Sequence, residues 1–590
     1  MSADTSLLRG IGRLYATLWR EAKGDRLRVV AALALLTGAV LVNLLGPWYT
    51  AQAVNALQIG SAGAVAEAGW YLLATLGVSA VGWALHGPGR VLERFAAVAL
   101  RGRFADALYH RLLTLPIAWH ARHHSGEIIQ RMGRSVGALH SFGQSQFIYI
   151  QNAVNLIGPL VALLVICWPV GVTGMLGYVV LATILVRLDR VMVRLLKEEA
   201  EADGRFGATI IDGLGNIGTV RALRIEEPLR DLAARRMEDA ARPHRRSVVM
   251  NEAKWATIDL LSSALRVALV GLYGWIAWRE GGTVMVGTAV LVHQYAHQAG
   301  GVVNAMAAHW GNLVRWQAEL GLADPIRDAT ETVPPAAPVH ADWRELSVHG
   351  LSFRHRNGEE EGRSAGVEAV DLTLRRGERV ALIGESGSGK STLLRLLAGL
   401  YAPDAARVSV DGVPRLDMLH LGGAGTLIPQ ETDMFEASLR HNLTFGLPYR
   451  EEEVAAALDA AGLTGLVAAL PQGLDTRIEE RGANLSGGQR QRVALARGLL
   501  AARGKGLLLL DEPTASLDPA TEALVYDTLF DRHPDACVVS TLHRLHLLDR
   551  FDRVVVMAAG RVVDQGRPEE VLARRPDLAG AAAGGVSVAA

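Results

Sequence analysis

Long apolar runs occupy the first 320 or so residues of the chain, and only short apolar segments occur after residue 342. A helix that crosses a bilayer needs about 20 apolar residues. Runs of this kind predict six spanning helices. We place them at about residues 29–49, 68–85, 147–167, 170–188, 257–278 and 284–310.

The basic residues between these runs predict an orientation. Residues 7–19 repeat leucine and isoleucine at helical spacing among arginines, which favours an elbow helix on the bilayer surface over one packed on protein. The N-terminus and the segments after spans two and four are rich in arginine, whereas residues 55–67 contain no Lys or Arg and Arg279 stands alone between spans five and six. Basic segments stay on the cytoplasmic side of a membrane. The chain is therefore predicted to be an integral protein of the cell (inner) membrane with both termini in the cytoplasm.

The predicted organisation has two domains, because 590 residues are too many for one core. Residues 330–342 contain three prolines and no apolar periodicity. We therefore predict a transmembrane domain at 1–325, a linker at 326–342 and a soluble α/β domain at 343–590. The formal net charge is zero, so no nucleic-acid partner is expected, and the two cysteines suggest neither a disulfide nor a metal framework.

A phosphate-binding loop is the first sign of chemistry in the soluble domain. An apolar strand at 379–383 precedes Gly-Glu-Ser-Gly-Ser-Gly-Lys-Ser at 384–391, and a helical pattern follows. The glycines let backbone N–H groups surround phosphate oxygens, and the helix N-terminus adds partial positive charge. Lys390 adds a full charge and Ser391 offers a hydroxyl to Mg²⁺. The segment therefore predicts an ATP site.

Two further segments fit the same chemistry. The apolar strand 507–510 ends in Asp511 and Glu512. Asp511 is suited to hold Mg²⁺, and Glu512 to orient or deprotonate the attacking water. Residues 485–489, Leu-Ser-Gly-Gly-Gln, precede a helical pattern, so their N–H groups are placed to contact phosphate as well.

The soluble half resembles the nucleotide-binding domain of ABC transporters. The likeness covers nearly all of residues 343–575 and keeps the family's motifs in order: the phosphate loop, Gln430, residues 485–489 as the signature, Asp511 with Glu512, Ser516-Leu-Asp518, and His543. The membrane half resembles the exporter-type fold, with coupling turns around residues 115–127 and 212–221. The expected fold class is thus an all-α polytopic membrane domain of six long helices followed by an α/β P-loop ATPase domain.

The resemblance implies a role for each motif residue. Catalysis is expected to depend on Glu512, His543 and Gln430, and Mg²⁺ to be held by Ser391, Gln430 and Asp511. The expected ATP-binding residues are His355, Gly384, Ser386, Gly387, Ser388, Gly389, Lys390, Ser391, Thr392, Leu485, Ser486, Gly487, Gly488, Gln489 and Asp518. Each ATP is expected between the phosphate loop of one subunit and the signature of another, so a dimer is required. A homodimer is favoured, with a heterodimer as the alternative.

His355 departs from the family pattern. The family usually has an aromatic residue, commonly tyrosine, at this place, where it stacks on adenine. Imidazole stacks with less area, so weaker adenine binding and a pH-sensitive contact are expected. Phe353 is assigned to the core.

Polar residues inside the spans are candidates for the substrate path, because they usually face the bundle interior. Interhelical hydrogen bonds or ion pairs are the alternative for each of them. Arg266 is suited to attract an anionic group. The candidates are His140, Gln144, Gln151 and Asn155 around span three, Asp259 and Arg266 in span five, and His293, Gln294, His297, Gln298 and Asn304 in span six.

The sequence predicts an ATP-driven half-transporter that exports an amphipathic, lipid-like or peptide-like small molecule. Import with the same fold is one alternative. A regulatory or channel-like protein with little turnover is another, against which Lys390, Glu512 and the intact signature argue.

Overall fold

The computed structural model describes residues 2–576 apart from 124, 282, 331–338, 341, 356–365, 416–417, 480–481, 515–516 and 543. The chain divides into two compact units, Met1–Leu113 with His124–Ala329, and Thr114–His123 with Thr330–Ala590. The described part of the first unit consists of helices and turns, and the second unit combines helices with strands. The predicted fold class, a helical membrane domain followed by an α/β domain, is confirmed.

The first unit is built from long helices that run well beyond the predicted spans. Its helices are Ser2–Glu21, Arg26–Asn43, Leu45–Ile59, Ala64–Thr114, Ser125–Gly143, Gln146–Ile166, Trp168–Gly215, Ile217–Leu223, Glu226–Gly281, Val286–Gly321 and Asp324–Arg327. The longest, Glu226–Gly281, has 56 residues. A helix rises about 1.5 Å per residue, so helices of this length extend far past a bilayer core of about 30 Å.

Five helical segments among the described residues are long and apolar enough to cross a membrane, and they contain the first five predicted spans except for Cys167, the last residue of the third. They are Arg26–Ile59, Ala64–Thr114, Gln146–Ile166, Trp168–Met192 and Glu226–Gly281. The sixth predicted span lies in the helix Val286–Gly321, which is not among the five. Its His293, Gln294, His297 and Gln298 interrupt the apolar pattern, so the sixth span, in the part of the chain that the structure describes, has no apolar window as long as those of the other five.

Prolines shape two breaks in this helical unit. The first predicted span is two helices, Arg26–Asn43 and Leu45–Ile59, because Pro47 has no N–H to donate and its ring crowds the carbonyl four residues earlier. The third and fourth spans meet at Cys167, which is extended and is followed by Trp168 and Pro169. Proline is favoured in the first turn of a helix, so Pro169 starts the fourth span there.

The surface of the first unit is unusually apolar. Trp70 is 73% exposed, Leu76 67% and Trp83 71%, all on Ala64–Thr114. Contiguous exposed apolar side chains on a long helix are costly in water and stable against lipid. The exposed faces therefore agree with a lipid-embedded unit.

The second unit contains two sheets and short helices. Its strands are β1 Glu345–Arg354, β2 Gly366–Arg375, β3 Arg379–Ile383, β4 Ala405–Val410, β5 Val413–Arg415, β6 Gly425–Ile428, β7 Leu507–Leu510, β8 Cys537–Thr541, β9 Arg553–Ala558 and β10 Arg561–Gly566. Its helices, including short 3₁₀ turns, are Ile117–His120, Lys390–Leu397, Met418–Gly423, Leu439–Thr444, Glu451–Ala460, Thr464–Ala469, Gly473–Asp475, Gly487–Ala501, Pro519–Arg532, Leu545–Arg550 and Pro568–Arg574.

The larger sheet brings the motif segments together. Its order is β10-β9-β3-β8-β7-β6, and β9, β3, β8, β7 and β6 pair in parallel. Leu382 lies opposite Thr541, and Leu510 lies opposite both Ser540 and Ile428. The carboxyl ends of parallel strands meet at one edge, so the segments that follow β3, β6, β7 and β8 converge there.

Alternating side chains of this sheet fill two separate cores. Ala381 and Ile383 pack on one face with the helix Gly487–Ala501. Val380 and Leu382 pack on the other face with the helix Lys390–Leu397 and with the smaller, antiparallel sheet, whose strand order is β2-β1-β4-β5. Successive strand residues point to opposite faces, so a strand covered on both sides must be apolar throughout. Packing on both faces of the sheet therefore holds the carboxyl ends of its strands in place.

Candidate functional site

The phosphate loop lies at the carboxyl end of β3, between a buried strand and the helix Lys390–Leu397. Gly384 has a φ of 151°, and a Cβ added there would lie 2.1 Å from the carbonyl oxygen of Met557, so only glycine fits. Ser386 and Gly387 are exposed at the tip. The buried Ser388 Oγ has no hydrogen-bond partner among the described residues, which suits a hydroxyl that contacts a ligand.

Lys390 places its ammonium inside this loop. Its Nζ donates to the carbonyl oxygens of Gly384, at 2.7 Å, and Glu385, at 3.0 Å. Burial lowers the pKa of Lys390, while Glu512 and Asp511 act to raise it. A desolvated cation gains most from an anionic ligand, because the local dielectric constant is low.

A hydroxyl and a carboxylate meet at the start of this helix. Ser391 Oγ donates to Asp511 Oδ1 at 2.9 Å, and Asp511 is only 1% exposed. Burial raises the pKa of Asp511, the bond from Ser391 lowers it, and Glu512 raises it further. Paired hard oxygen donors of this kind fit Mg²⁺, whose charge would favour the ionised carboxylate.

Glu512 is held in an unusual conformation next to Asp511. Its φ is 49°, in the left-handed region that a non-glycine residue rarely adopts. Gln430 Nε2 donates to its Oε2 at 2.6 Å. Its own N–H donates to Thr541 Oγ1 at 2.7 Å, and Gln491 Nε2 donates to its carbonyl oxygen at 2.7 Å. Gln430 therefore holds the carboxylate, while Thr541 and Gln491 fix the backbone that carries it.

Thr541 and Gln491 are site residues that sequence reasoning missed. Thr541 ends β8, between β3 and β7, and its Oγ1 also lies 3.3 Å from Asp511 Oδ1. Gln491 lies on the helix that follows the signature. Only the order of strands in the sheet marks Thr541, and the chain alone does not give that order.

The signature caps a long helix. Ser486 is the N-cap of Gly487–Ala501 and accepts a bond from Gln489 N at 3.2 Å, while its own N–H donates to Gln489 Oε1 at 2.8 Å. Leu485 is buried, and Gly488 lies in the first helical turn. Ser486 and Gly487 are exposed. The N-terminus of this helix thus carries accessible N–H groups and partial positive charge.

Asp518 also caps a helix, because its carboxylate accepts from Thr521 N at 3.0 Å at the start of Pro519–Arg532. A hydrogen bond with the side chain of Thr521, followed by bonds from the backbone of Thr521 and its neighbours, lowers the pKa of Asp518. Ser516 and His543, both expected at the site, lie outside the described residues.

His355 belongs to an aromatic cluster. Its Nε2 lies 3.3 Å from Thr392 Oγ1, and its ring meets those of Phe353 and Tyr401 edge to face at centroid distances of 4.9 and 5.6 Å. Phe353 is half-buried and stacks on Tyr401 at 5.1 Å. Burial and then Arg395 lower the pKa of His355, so its neutral ring is favoured at neutral pH. Tyr401, also missed from the sequence, supplies further aromatic area.

This cluster lines a cavity of about 310 Å³ within the second unit. Segments 353–355 and 400–404 form one side, and Pro116, Ala118 and Arg122 form another. The described surface thus joins aromatic rings to a basic side chain.

In the first unit, Arg266 contacts span six rather than Asp259. Its Nη1 donates to His297 Nδ1 and its Nη2 to Ser263 Oγ, the latter at 2.6 Å. The rings of His297 and His293 lie parallel with centroids 6.4 Å apart. A guanidinium stays charged in proteins, and the described contacts of this cation are to an imidazole and a hydroxyl.

A second polar group joins spans three and six. Gln298 Nε2 donates to Asn155 Oδ1 at 2.8 Å. These two residues, with Gln151, Asn152 and His309, line a cavity of about 400 Å³. His140 is separate, since its Nδ1 contacts the carbonyl oxygen of Ala97 at 3.1 Å. The side chain of Asn304 lies outside the described residues.

Comparisons with known proteins agree with a helical membrane unit that is joined to a phosphate-loop unit. A family model described as "ABC transporter transmembrane region" matches residues 29–299, and one described as "ABC transporter" matches residues 367–515. The ATP-dependent lipid A-core flippase of Chromobacterium violaceum is 28% identical over 524 residues, which cover 85% of this chain and 86% of that protein. The mitochondrial iron-sulfur clusters transporter ATM1 of Candida glabrata is 26% identical over 596 residues, or 98% and 80% of the two chains.

A solved structure supports the fold. The bacterial Atm1-family ABC exporter with ATP bound matches with a TM-score of 0.78 and 24% identity, over 93% of this chain and 96% of that one. At this identity the likeness shows the architecture and not the substrate.

A helical membrane unit joined to a phosphate-loop ATPase unit defines an ATP-driven membrane transporter. The chain belongs to the ABC transporters and has the architecture of an exporter-type half-transporter. It is an integral membrane protein that binds ATP.

Proposed function

We propose that two such subunits bind two ATP molecules across their seam and that hydrolysis, assisted by Glu512, drives export of an amphipathic small molecule with an anionic group. The convergence of Lys390, Ser391, Asp511, Glu512 and Gln430 at one edge of the sheet carries this proposal. The arginine-rich segments favour a chain embedded in the inner membrane with its ATPase domain on the cytoplasmic side.

The nucleotide's phosphates are assigned to the loop 384–391, and the base to the cluster of His355 and Tyr401. Ser391 and Asp511 are the proposed Mg²⁺ ligands, with Gln430 beside them; the ion would neutralise developing charge on the phosphates. Gln430 and Thr541 position Glu512, whose carboxylate orients or deprotonates the attacking water.

A second subunit completes each site in this proposal. Ser486 and Gly487 are exposed, and the hydroxyl of Ser486 caps its own helix. A helix N-terminus with accessible N–H groups is suited to bind the phosphates held by another chain. A homodimer suffices, since one chain carries both the phosphate loop and the signature.

Two inactive variants are expected to restore activity when mixed. Lys390→Ala removes the loop cation, and Ser486→Arg blocks the signature. In a head-to-tail homodimer half of the dimers are mixed and each has one intact site, so about a quarter of the wild-type ATPase rate is expected on co-expression. Phosphate release from purified protein in nanodiscs measures this.

Each variant expressed alone is the control for this mixing test and should be inactive. An inactive mixture would exclude sites shared between two copies of the chain. Wild-type chain that is inactive until a similar half-transporter is added would favour the heterodimer.

Arg266 is the proposed anion contact for the substrate. A charge-assisted hydrogen bond contributes about 1.5–3 kcal/mol, so Arg266→Gln is expected to raise the half-maximal stimulating concentration of an anionic amphiphile about tenfold or more. A panel of amphipathic carboxylates and their neutral esters, tested for ATPase stimulation in nanodiscs, supplies the probes.

Arg279→Gln is the matched control, because Arg279 lies near the end of the same helix over the ring of Trp275. It should keep the response to the carboxylates. Equal stimulation by carboxylates and esters would contradict an anionic substrate, and uptake of the stimulating compound into inside-out vesicles tests export.

A further inference from the structure

A buried carboxylate outside the nucleotide site joins three of the motif segments. Glu522 lies in the first turn of Pro519–Arg532 and is 5% exposed. Its Oε1 accepts from Thr514 Oγ1 at 2.7 Å, and its Oε2 accepts from Arg544 Nη1 at 3.1 Å. Thr514 is itself 3% exposed. A buried carboxylate is costly unless it is paired, and here both of its oxygens have partners.

The partners of Glu522 each stand close to a functional residue along the chain. Thr514 is two residues after Glu512. Arg544 is next to His543, and its Nη1 also donates to the carbonyl oxygen of Leu517 at 2.8 Å, next to Asp518. His546 Nε2 lies 3.8 Å from Glu522 Oε2. One carboxylate thus connects segments that are distant in sequence.

We propose that Glu522 is a positioning residue for ATP hydrolysis: by holding Thr514 and Arg544 it fixes the segments that carry Glu512, Asp518 and His543. The inference rests on the proposed hydrolytic role of Glu512. Glu522 acts through its neighbours and touches no reacting atom in this proposal. The buried pairing makes the three segments move together, because breaking one contact leaves a polar group unsatisfied.

The test separates positioning from nucleotide binding. Glu522→Gln keeps the shape and the acceptor for Thr514 but removes the negative charge that pairs with Arg544. A small displacement of catalytic groups costs up to about 100-fold in rate, so kcat for ATP is expected to fall about 10- to 100-fold. KM for ATP and fluorescent-nucleotide affinity should stay within about twofold, because Lys390 and the phosphate loop are unchanged.

Conservative changes at Thr514 provide a second arm. Thr514→Val removes the donated hydrogen bond and should lower kcat as Glu522→Gln does, whereas Thr514→Ser keeps the hydroxyl and should restore most of the rate. This pair decides the question if Glu522→Gln fails to fold. A loss of kcat counts as support only when the thermal unfolding of the variant remains cooperative, because cooperative unfolding shows that the variant is folded.

Asp527→Asn is the matched control on the same helix. Asp527 accepts from Arg550 Nε at 2.8 Å, and its side chain is 52% exposed, so this ion pair lies at the surface whereas that of Glu522 is buried. Its kcat should equal that of the wild type. Glu512→Gln is measured in parallel, and hydrolysis at the wild-type rate by that variant would overturn the proposed function itself.

The inference alone fails if Glu512→Gln is inactive while Glu522→Gln and Thr514→Val keep the wild-type kcat. It also fails if these two variants lose nucleotide affinity and kcat in proportion, or if Thr514→Ser is as slow as Thr514→Val. A kcat loss at unchanged KM, reversed by serine, supports it.

Discussion

Replacing Glu512 by glutamine is expected to lower ATP hydrolysis about 100- to 1000-fold while ATP binding persists. Glutamine has the shape of glutamate, and the bonds of the Glu512 backbone to Thr541 and Gln491 do not involve the carboxylate. The amide is too weak a base to accept a proton from water. Phosphate release and fluorescent-nucleotide binding, measured on the same nanodisc preparation, check the two halves of the prediction.

Glu368→Gln is the control for this loss of a carboxylate in the same domain. Glu368 lies on β2 and forms an exposed ion pair with Arg561 at 2.8 Å. Exposed pairs contribute little, so this variant should hydrolyse ATP at the wild-type rate. Turnover by Glu512→Gln at that same rate would remove the assignment of Glu512.

The grouping of the phosphate loop with Asp511 and Glu512 was largely predictable because its signals are local. The phosphate loop requires a strand, a glycine turn and a helix in direct succession, and residues 379–397 supply all three. Asp511 and Glu512 follow the wholly apolar strand β7. Because β8 pairs in parallel with both β7 and β3, the carboxyl ends of β7 and β3 lie at the same edge of the sheet. Parallel pairing therefore brings Ser391 and Asp511 together, as the sequence predicts.

Contacts between distant segments were not predictable in the same way. Thr541 reaches Glu512 because β8 lies between β3 and β7, and strand order is a property of the folded sheet. Glu522 reads as an ordinary acidic residue in a first helical turn, although its partners come from two other segments. In the membrane unit, Asp259 and Arg266 share a helix, yet Arg266 bonds to His297 on another.

Some helix ends in the membrane unit are marked by prolines, which an average of hydropathy over a window of residues does not detect. A window of apolar residues runs through Pro47 and spans the break before it, because proline is itself compatible with an apolar run. The polar sixth span shows the opposite problem. Its helix continues for 36 residues although four polar side chains interrupt the apolar pattern, since polar groups inside a bundle can pair across helices.

Asp511→Asn is expected to stabilise the protein while abolishing its Mg²⁺-dependent hydrolysis. The folded environment raises the pKa of Asp511, mainly through burial. A raised pKa means that the folded state binds the proton more tightly than the unfolded state, so stability increases as the pH falls toward that pKa and is reduced above it. Asparagine keeps an acceptor for Ser391 without the buried charge.

At neutral pH the midpoint of thermal unfolding of Asp511→Asn is expected to lie about 2–4 °C above that of the wild type, with hydrolysis reduced at least about 100-fold. The scans are made without nucleotide or Mg²⁺, because ligands bound only by the folded state would raise the midpoint themselves. The difference should narrow as the pH falls through the raised pKa of Asp511 toward the ordinary carboxyl range, because Asp511 then takes up its proton.

Asp564→Asn gives the opposite sign and makes the thermal measurement decisive. The bond from Arg574 lowers the pKa of Asp564, so its charge stabilises the folded state at neutral pH and that contribution is lost as the pH falls through the lowered pKa. This variant should unfold at a lower temperature and hydrolyse ATP normally. If Asp511→Asn also unfolded at a lower temperature, the carboxylate of Asp511 would be a structural ion partner and not a charge kept, at a cost in stability, for binding a metal.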